Sequence, residues 1–437
     1  MKTVIPTHLF SNVELEERKS THTHNSGSVL GSTALVAGTT VGAGILALPA
    51  VTVGAGIIPS TILLLGVWLY ALISALLIAE LALAKMQIEG RANVGFIGMV
   101  ESYLGKTGGR IAGAAYLFFH YALLIAYLSE GGEILLGAIS NAAFRFLHIP
   151  SDLPKYLGST IFALIMGGIL CVGRDKFVER LNSVMVGIVL VSFAGLLILA
   201  GEQVQISNLL IQNWKALPVA VPVMLVALFY HNIVPVITTQ LEGDGKKIRQ
   251  SIIVGSAIPL VMFFAWNAVI LGSFNITSIV DNSFDPLEIL RSGSFGKLLG
   301  VFISVFSEFA IATSFIGFVY GLLDFFRDLN QDWNLLPSDK NSRLPFISLA
   351  LIPPMGLSAL NPDIFLAALD YAGTYSTSIL GGILPAVMSW KQREEYKEEH
   401  KQQQTTQRLV PGGKVTLVVL ILVSLSIILR QVVLMII

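Results

Sequence analysis

The chain has 437 residues, of which 54% are apolar and only 13% are charged. Soluble domains carry about 25% charged residues, so this composition excludes an ordinary soluble protein and indicates a polytopic membrane protein. The net charge is zero, and we expect the lipid bilayer, not a nucleic acid, to surround the chain. A single cysteine, Cys171, excludes a disulfide framework and a cysteine-based metal site.

Apolar stretches long enough to cross a bilayer recur along the whole chain. A hydrocarbon core about 30 Å thick takes roughly 20 residues as helix. By that measure we predict eleven spans, at residues 29–53, 57–84, 111–139, 157–173, 181–201, 217–239, 251–273, 297–325, 344–360, 364–390 and 415–436. The ninth is the weakest, because it is short and contains Pro353 and Pro354.

The positions of Lys and Arg support this count, because cytoplasmic loops carry an excess of both. With the N-terminus inside, the cytoplasmic segments hold every Lys and Arg except Arg145, Lys155, Lys215, Arg291, Lys297 and Arg430. Residues 1–27 then form a disordered cytoplasmic tail, residues 391–414 form a charged cytoplasmic linker, and the C-terminus lies outside.

The first span contains an unusual run of small residues, GTTVGAGILALP at 38–49. Glycine costs about 1 kcal/mol relative to alanine in a helix interior, and proline about 3 kcal/mol. Gly38 and Gly42 form a GxxxG pattern, which favours a close contact between helices. A dinucleotide fingerprint is excluded, because it needs a preceding strand in a soluble unit. The remaining interpretation is an unwound helix whose backbone groups bind a ligand in mid-membrane.

The sixth span favours the unwound helix. It reads ALFYHNIVPVIT at 227–238, with His231 and Asn232 in mid-span and Pro235 shortly after. Irregular backbone at membrane depth is tolerated only where protein buries it or where it lines a watery cavity. Paired interrupted segments in corresponding halves indicate the binding site of a transporter. Spans 1 and 6 are five apart, so the two halves would be inverted relative to each other.

These features resemble the amino acid/polyamine/organocation transporter superfamily and, within it, the hydroxy/aromatic amino acid permeases for tyrosine, tryptophan and serine. The resemblance implies an all-α membrane protein with a leucine-transporter-like fold of eleven helices. Its inverted repeats of five spans each would cover residues 28–201 and 217–390, and residues 415–437 would form one extra C-terminal helix.

The resemblance also implies where the substrate binds. In such proteins, amide groups of the first unwound stretch hold the substrate carboxylate, and carbonyls of spans 1 and 6 take the ammonium group. The helix dipoles, worth roughly half a charge at each end, suit that arrangement. The implied substrate-binding residues are Thr40, Gly42, Ala43, Gly44, Phe229, Tyr230, His231 and Asn232, together with Tyr121 or Tyr127 from span 3. Taken singly, each aromatic side chain is better explained by core packing or lipid contact than by substrate binding.

The coupling ion stays open at this point. Sodium-coupled relatives bind one sodium ion against an Ala-x-x-Thr-Ser pattern of span 8. Ala310, Thr313 and Ser314 reproduce that pattern, with Gly38 and Val41 opposite them, although both hydroxyls could instead bond within their own helix. Ile45 stands where some relatives carry Asn for a second sodium ion. For coupling to protons, the candidate carriers are Glu130, Glu133, His231 and Glu308, because ionisable groups inside a membrane are costly and usually functional.

We therefore expect a symporter of amino acids in a bacterial inner membrane, with tyrosine or tryptophan favoured and a proton or sodium gradient as the driving force. We expect no cofactor other than a bound sodium ion. A serine symporter and a membrane-embedded enzyme are the alternatives. Against the enzyme, the sequence contains no HExxH, GxSxG or GxGD pattern. ATP-driven transport is disfavoured, because the GKT at 105–107 lacks the preceding glycine of a phosphate loop.

Overall fold

A computed structural model describes residues 27–42, 44–89, 95–147, 154–273, 296–333, 344–399 and 408–436. The helices are α1 (Val29–Thr40), α2 (Gly44–Thr52), α3 (Ile57–Glu89), α4 (Phe96–Leu147), α5 (Lys155–Val172), α6 (Asp175–Gly201), α7 (Ile206–Leu209), α8 (Val221–Ala227), α9 (Val234–Gln240), α10 (Gly245–Ser273), α11 (Lys297–Trp333), α12 (Leu344–Leu360), α13 (Phe365–Tyr371), α14 (Leu384–Glu399) and α15 (Gly413–Ile436). Two 3₁₀ turns, Trp214–Val219 and His231–Ile233, flank α8, and π-helical turns at Ala372–Thr377 and Ile379–Ile383 join α13 to α14.

Each of the eleven predicted spans coincides with helical residues. The first corresponds to α1 and α2, the sixth to α8 and α9, the tenth to α13 and α14, and each of the others to one helix. Within the described residues, eight segments are long and apolar enough to cross a membrane, one of them the sixth span with its break, and the bent pair of α1 and α2 would make nine. The 17-residue α12 is shorter. The total of eleven and the inverted repeat stay predictions.

Two helices extend beyond the predicted spans. The third span belongs to a longer helix that starts at Phe96, and its axis turns at Gly105, where φ is 71°. Such a left-handed conformation favours glycine, because it has no Cβ to collide with the following carbonyl. At the other end of the chain, α14 continues into the predicted charged linker as far as Glu399.

Small residues set the distances between several helices. A Cβ on Gly158 of α5 would overlap the backbone of Gly132 of α4, and a Cβ on Gly132 would overlap that of Ser159. On Gly255 of α10, a Cβ would lie 2.5 Å from the Cβ of Val36 in α1. Because lipid tails are as apolar as the helices, close packing of this kind, rather than a hydrophobic driving force, holds helices together in a bilayer.

Candidate functional site

The first span is interrupted at Val41. Helix α1 ends at Thr40, Val41 is extended with ψ of 94°, and α2 begins at Gly44 in a direction bent by 51°. The amide of Val41 still bonds the carbonyl of Ala37 at 2.9 Å. The last carbonyls of one helix and the first amides of the next have no hydrogen-bond partners within their own helices. The break therefore exposes both kinds of group. Ala43 lies outside the described residues.

The sixth span is interrupted between α8 and α9. Helix α8 ends at Ala227, Tyr230 has φ of −138°, and one 3₁₀ turn follows before α9 begins at Val234. Pro235 suits the first turn of α9, because its missing amide hydrogen would have no helical partner there. The structure thus interrupts both spans where glycines and prolines predict it.

The two breaks lie side by side. A Cβ on Gly44, the first residue of α2, would lie 2.8 Å from the Cα of Ala227, the last residue of α8. A Cβ on Gly42 would lie 2.8 Å from the hydroxyl of Ser314 in α11. Gly42 and Gly44 therefore permit the close approach of spans 1, 6 and 8. Gly38 is different: it is exposed, and no atom lies within 4 Å of the position its Cβ would take, so it makes no close GxxxG contact.

Aromatic rings from three spans gather beside the breaks. The ring of Phe229 lies 4.7 Å from that of Phe119 in α4, and Phe119 lies 5.8 Å from Phe318 in α11. Tyr127 of α4 contacts Phe318 edge-on at 5.6 Å. Phe119 and Phe318 were not among the predicted site residues. Their only sequence signal is their place in spans 3 and 8, which they share with many packing residues.

His231 lies between the rings of its own segment. It is 2% exposed and stacks on Phe229 at 4.9 Å and on Tyr230 at 5.4 Å. A Cβ on Gly381, in the π-helical part of span 10, would lie 3.4 Å from both His231 and Phe229. Span 10 therefore closes this side of the cluster.

Polar atoms at the second break lack hydrogen-bond partners among the described residues. Both ring nitrogens of His231, the hydroxyl of Tyr230 and the side-chain oxygen of Asn232 are buried without one. The backbone of Ala71 approaches His231, and Ser256 approaches Tyr230, without reaching hydrogen-bonding geometry. An unsatisfied buried polar group costs about 1 to 3 kcal/mol. Three such residues in succession indicate a place where another polar group binds.

The span 8 hydroxyls lie at the junction with span 1. Thr313 and Ser314 donate to the carbonyl of Ala310 at 3.1 and 2.9 Å, so both hydroxyl protons bond within their own helix, as the alternative interpretation of these residues expects. A hydroxyl that donates its proton still has lone pairs to offer a cation. The hydroxyl of Tyr127 approaches that of Ser314, which brings span 3 close to this junction.

Other predicted residues lie in different surroundings. The Thr40 hydroxyl donates to Val36 of its own helix at 2.7 Å. Tyr121 donates to the carbonyl of Leu349 in α12 at 2.7 Å, which directs it away from the breaks, so Tyr127 is the span 3 tyrosine at the site.

The predicted proton carriers differ in burial. Glu133 is 46% exposed and lies 4.0 Å from Lys155 near the loop before α5, which fits a surface ion pair. Glu130 is 8% exposed, and Glu308 is half-buried. Within the described residues, no three His, Cys, Asp or Glu side chains are placed to hold a metal ion.

The all-helical fold with two adjacent interrupted spans is that of a multi-pass membrane protein with a leucine-transporter-like fold. A solved structure described as MhsT in complex with L-phenylalanine shares this fold, with a TM-score of 0.63 and 16% identity, over 92% of this chain and 97% of that one.

The family follows from the sequence comparisons. The tryptophan/tyrosine permease family model matches residues 25–431, and the chain belongs to that family. It is 31% identical to tyrosine-specific transport system 1 of Haemophilus influenzae, over 91% of this chain and 95% of that protein. It is 30% identical to a tryptophan-specific transport protein of the same species, over 85% and 90% of the two chains. The family consists of permeases, so the protein is a transporter of amino acids and not an enzyme.

Proposed function

We propose that the protein is a symporter of an aromatic amino acid, tyrosine or tryptophan, driven by a proton or sodium gradient across a bacterial inner membrane. The observation that carries this proposal is the pair of adjacent helix breaks beside an aromatic cluster. The printed functions of the relatives, tyrosine-specific and tryptophan-specific transport, support the choice of substrate.

The zwitterionic part of the substrate binds at the breaks. The amides of Gly42, Ala43 and Gly44 at the start of α2 take the carboxylate, where the helix dipole contributes roughly half a positive charge. The carbonyls at the ends of α1 and α8 take the ammonium group, because the dipole has the opposite sign there. Both groups lose their water in the membrane, and the freed backbone groups replace it.

The aromatic ring of the substrate packs against Phe229, Phe119 and Phe318. Aromatic pairs in offset or edge-to-face geometry contribute about 0.5 to 1.5 kcal/mol beyond their buried area. Tyrosine and tryptophan also carry one polar atom on the ring, and the unsatisfied groups of His231 and Asn232 are chemically suited to bond it. An aliphatic substrate would leave those groups unpaired.

Transport follows from movement around a fixed site. Spans 1, 2, 6 and 7 rock against spans 3, 4, 8 and 9, with five spans in each inverted repeat, the N-terminus inside and the C-terminus outside. The coupling ion binds at Thr313 and Ser314 if it is sodium, or protonates His231, Glu130 or Glu308 if it is a proton. Substrate and ion together must favour the closed state more than either alone, because a ligand shifts an equilibrium only by its differential affinity.

Uptake into proteoliposomes tests the proposal. Purified protein is reconstituted, and entry of labelled tyrosine and tryptophan is measured under an imposed sodium gradient, an imposed pH gradient, both and neither. We expect concentrative uptake of at least one of the two amino acids under one gradient, and competition by the unlabelled compound. Uptake that never exceeds equilibration, under any gradient, would contradict a symporter.

A further inference from the structure

A buried carboxylate at the end of span 2 binds a distant part of the same chain. Glu80 of α3 is 7% exposed. Its Oε1 accepts hydrogen bonds from the backbone amides of Leu409 and Val410 at 2.5 and 2.7 Å, and its Oε2 accepts one from Arg393 at 3.0 Å. The sequence position suggests an ion pair with Lys85, but these contacts reach residues more than 300 positions away.

The contacts of Glu80 converge on the segment that leads into the last helix. We call residues 408–412 the strap. The side chains of Leu409 and Val410 are 5% and 3% exposed, so the strap is packed as well as hydrogen-bonded. Arg393 of α14 also donates to the carbonyl of Gly413 at 3.0 Å, and its side chain is only 12% exposed. Such charge-assisted bonds are roughly twice as strong as neutral ones.

Further polar contacts follow α15 along its length. In its middle, Ser424 shares a 2.8 Å hydrogen bond with Tyr70 of α3, and Gly382 of span 10 lies so close that a Cβ there would overlap both hydroxyls. Near its end, Gln431 donates to Asp370 of α13 at 2.9 Å. Spans 2 and 10 thus hold α15 at three levels along its length. A helix that only lay in the lipid beside the protein would not need these polar contacts.

We propose that Glu80 is a binding site for the strap, and that it joins spans 2, 10 and 11 into one body that moves as a unit during transport. The movement rests on the proposed function, whereas the binding of the strap does not. An ion pair with Arg393 alone would leave the two strap amides without an acceptor. The geometry requires a group with two acceptor oxygens at position 80.

Limited proteolysis tests the binding site without any transport. Full-length protein in detergent is treated with trypsin, and cleavage after Arg408, the exposed first residue of the strap, is followed by mass spectrometry. We expect Glu80→Ala to raise the cleavage rate about tenfold or more, and the isosteric Glu80→Gln to raise it less, because its amide oxygen accepts more weakly. The control is Asp363→Asn, which removes an exposed 2.7 Å pair with Lys155. Equal cleavage of wild type and both Glu80 variants overturns the binding site.

A covalent link tests the single body. In a Cys171→Ser background, Tyr70→Cys and Ser424→Cys are joined by a bifunctional thiol reagent about as long as a tyrosine side chain. We expect the linked protein to take up substrate within about twofold of the unlinked double variant. A link that stops uptake, while the unlinked variant transports, overturns the shared movement. If wild-type protein does not transport at all, the proposed function has failed instead, and the proteolysis result still stands.

Discussion

Gly38, Gly42 and Gly44 of the first span lie in different surroundings. We therefore expect a glycine-to-alanine substitution to have a different effect at each position. Gly44→Ala places a Cβ 2.8 Å from the Cα of Ala227 and 2.9 Å from its Cβ. Ordinary van der Waals contacts of a Cβ begin near 3.4 Å, so the two broken helices must separate by several tenths of an ångström. Overpacking of this kind costs about 1 to 3 kcal/mol.

This cost destabilises the close arrangement of spans 1 and 6 that transport requires. Gly44 is the first residue of α2, so the gain of about 1 kcal/mol that alanine brings to a helix interior applies only weakly. With a tenfold change for each 1.36 kcal/mol, the initial rate of uptake should fall about 5- to 150-fold. Gly42→Ala should be milder, because its nearest neighbour is the hydroxyl of Ser314, which can rotate away.

Gly38→Ala is the matched control. It lies in the same span, no atom lies within 4 Å of its Cβ position, and alanine keeps the backbone carbonyl that Gly38 could offer a sodium ion, so the substitution should be neutral or stabilise α1 by about 1 kcal/mol. The assay is initial uptake of labelled tyrosine or tryptophan into vesicles at equal protein content, beside thermal unfolding of each purified variant. Equal uptake by the Gly38 and Gly44 variants would refute the role assigned to the crossing of spans 1 and 6.

Three further outcomes can be measured. Ser314→Ala should raise the half-saturating concentration of the coupling ion about tenfold, measured in uptake titrations, since a hydrogen bond or ligand to a charged group contributes about 1.5 to 3 kcal/mol. Ser304→Ala is the control and should leave that concentration unchanged, because the hydroxyl of Ser304 bonds a carbonyl four residues back on the same helix. Phe229→Leu should weaken competition by tyrosine and tryptophan about fivefold, because one aromatic pair is lost; unchanged inhibition constants would remove Phe229 from the site. Gly132→Ala should lower the unfolding temperature, whereas Gly137→Ala on the same helix, with no atom within 4 Å, should not; equal melting curves would contradict the packing of α4 on α5.

The helix breaks could be predicted because their causes are local. Glycine and proline weaken a helix where they stand, so GTTVGAGILALP and the segment ending at Pro235 mark interruptions without knowledge of any neighbour. The spans could be predicted for a similar reason, because bilayer thickness fixes the length of an apolar stretch. The π-helical turns of span 10 also contain glycines, Gly373, Gly381 and Gly382, but a glycine marks only a weakened helix and not its hydrogen-bond register, so the π-helical register could not be predicted.

Two members of the aromatic cluster, Phe119 and Phe318, could not be predicted, because the cluster is assembled from distant helices. Tyr121 and Tyr127 are six residues apart, which on an α-helix of 3.6 residues per turn places them about 240° apart around the axis. One therefore bonds α12 while the other reaches Ser314. Span 3 is apolar on all sides, so its sequence does not show which face points inward. The sequence likewise does not show that Phe119 of span 3 and Phe318 of span 8 face the cluster.

The unsatisfied polar groups at the second break link binding to closure. Tyr230, His231 and Asn232 are consecutive, and each has a buried polar atom without a hydrogen-bond partner in the described part of the chain. Because the bilayer supplies no water at that depth, each such group would disfavour an empty site that is closed to water by about 1 to 3 kcal/mol. A substrate with a polar ring atom would remove part of that cost only when the site closes around it. Binding energy realised in one conformation and not in the other is what a symporter needs to shift its own equilibrium.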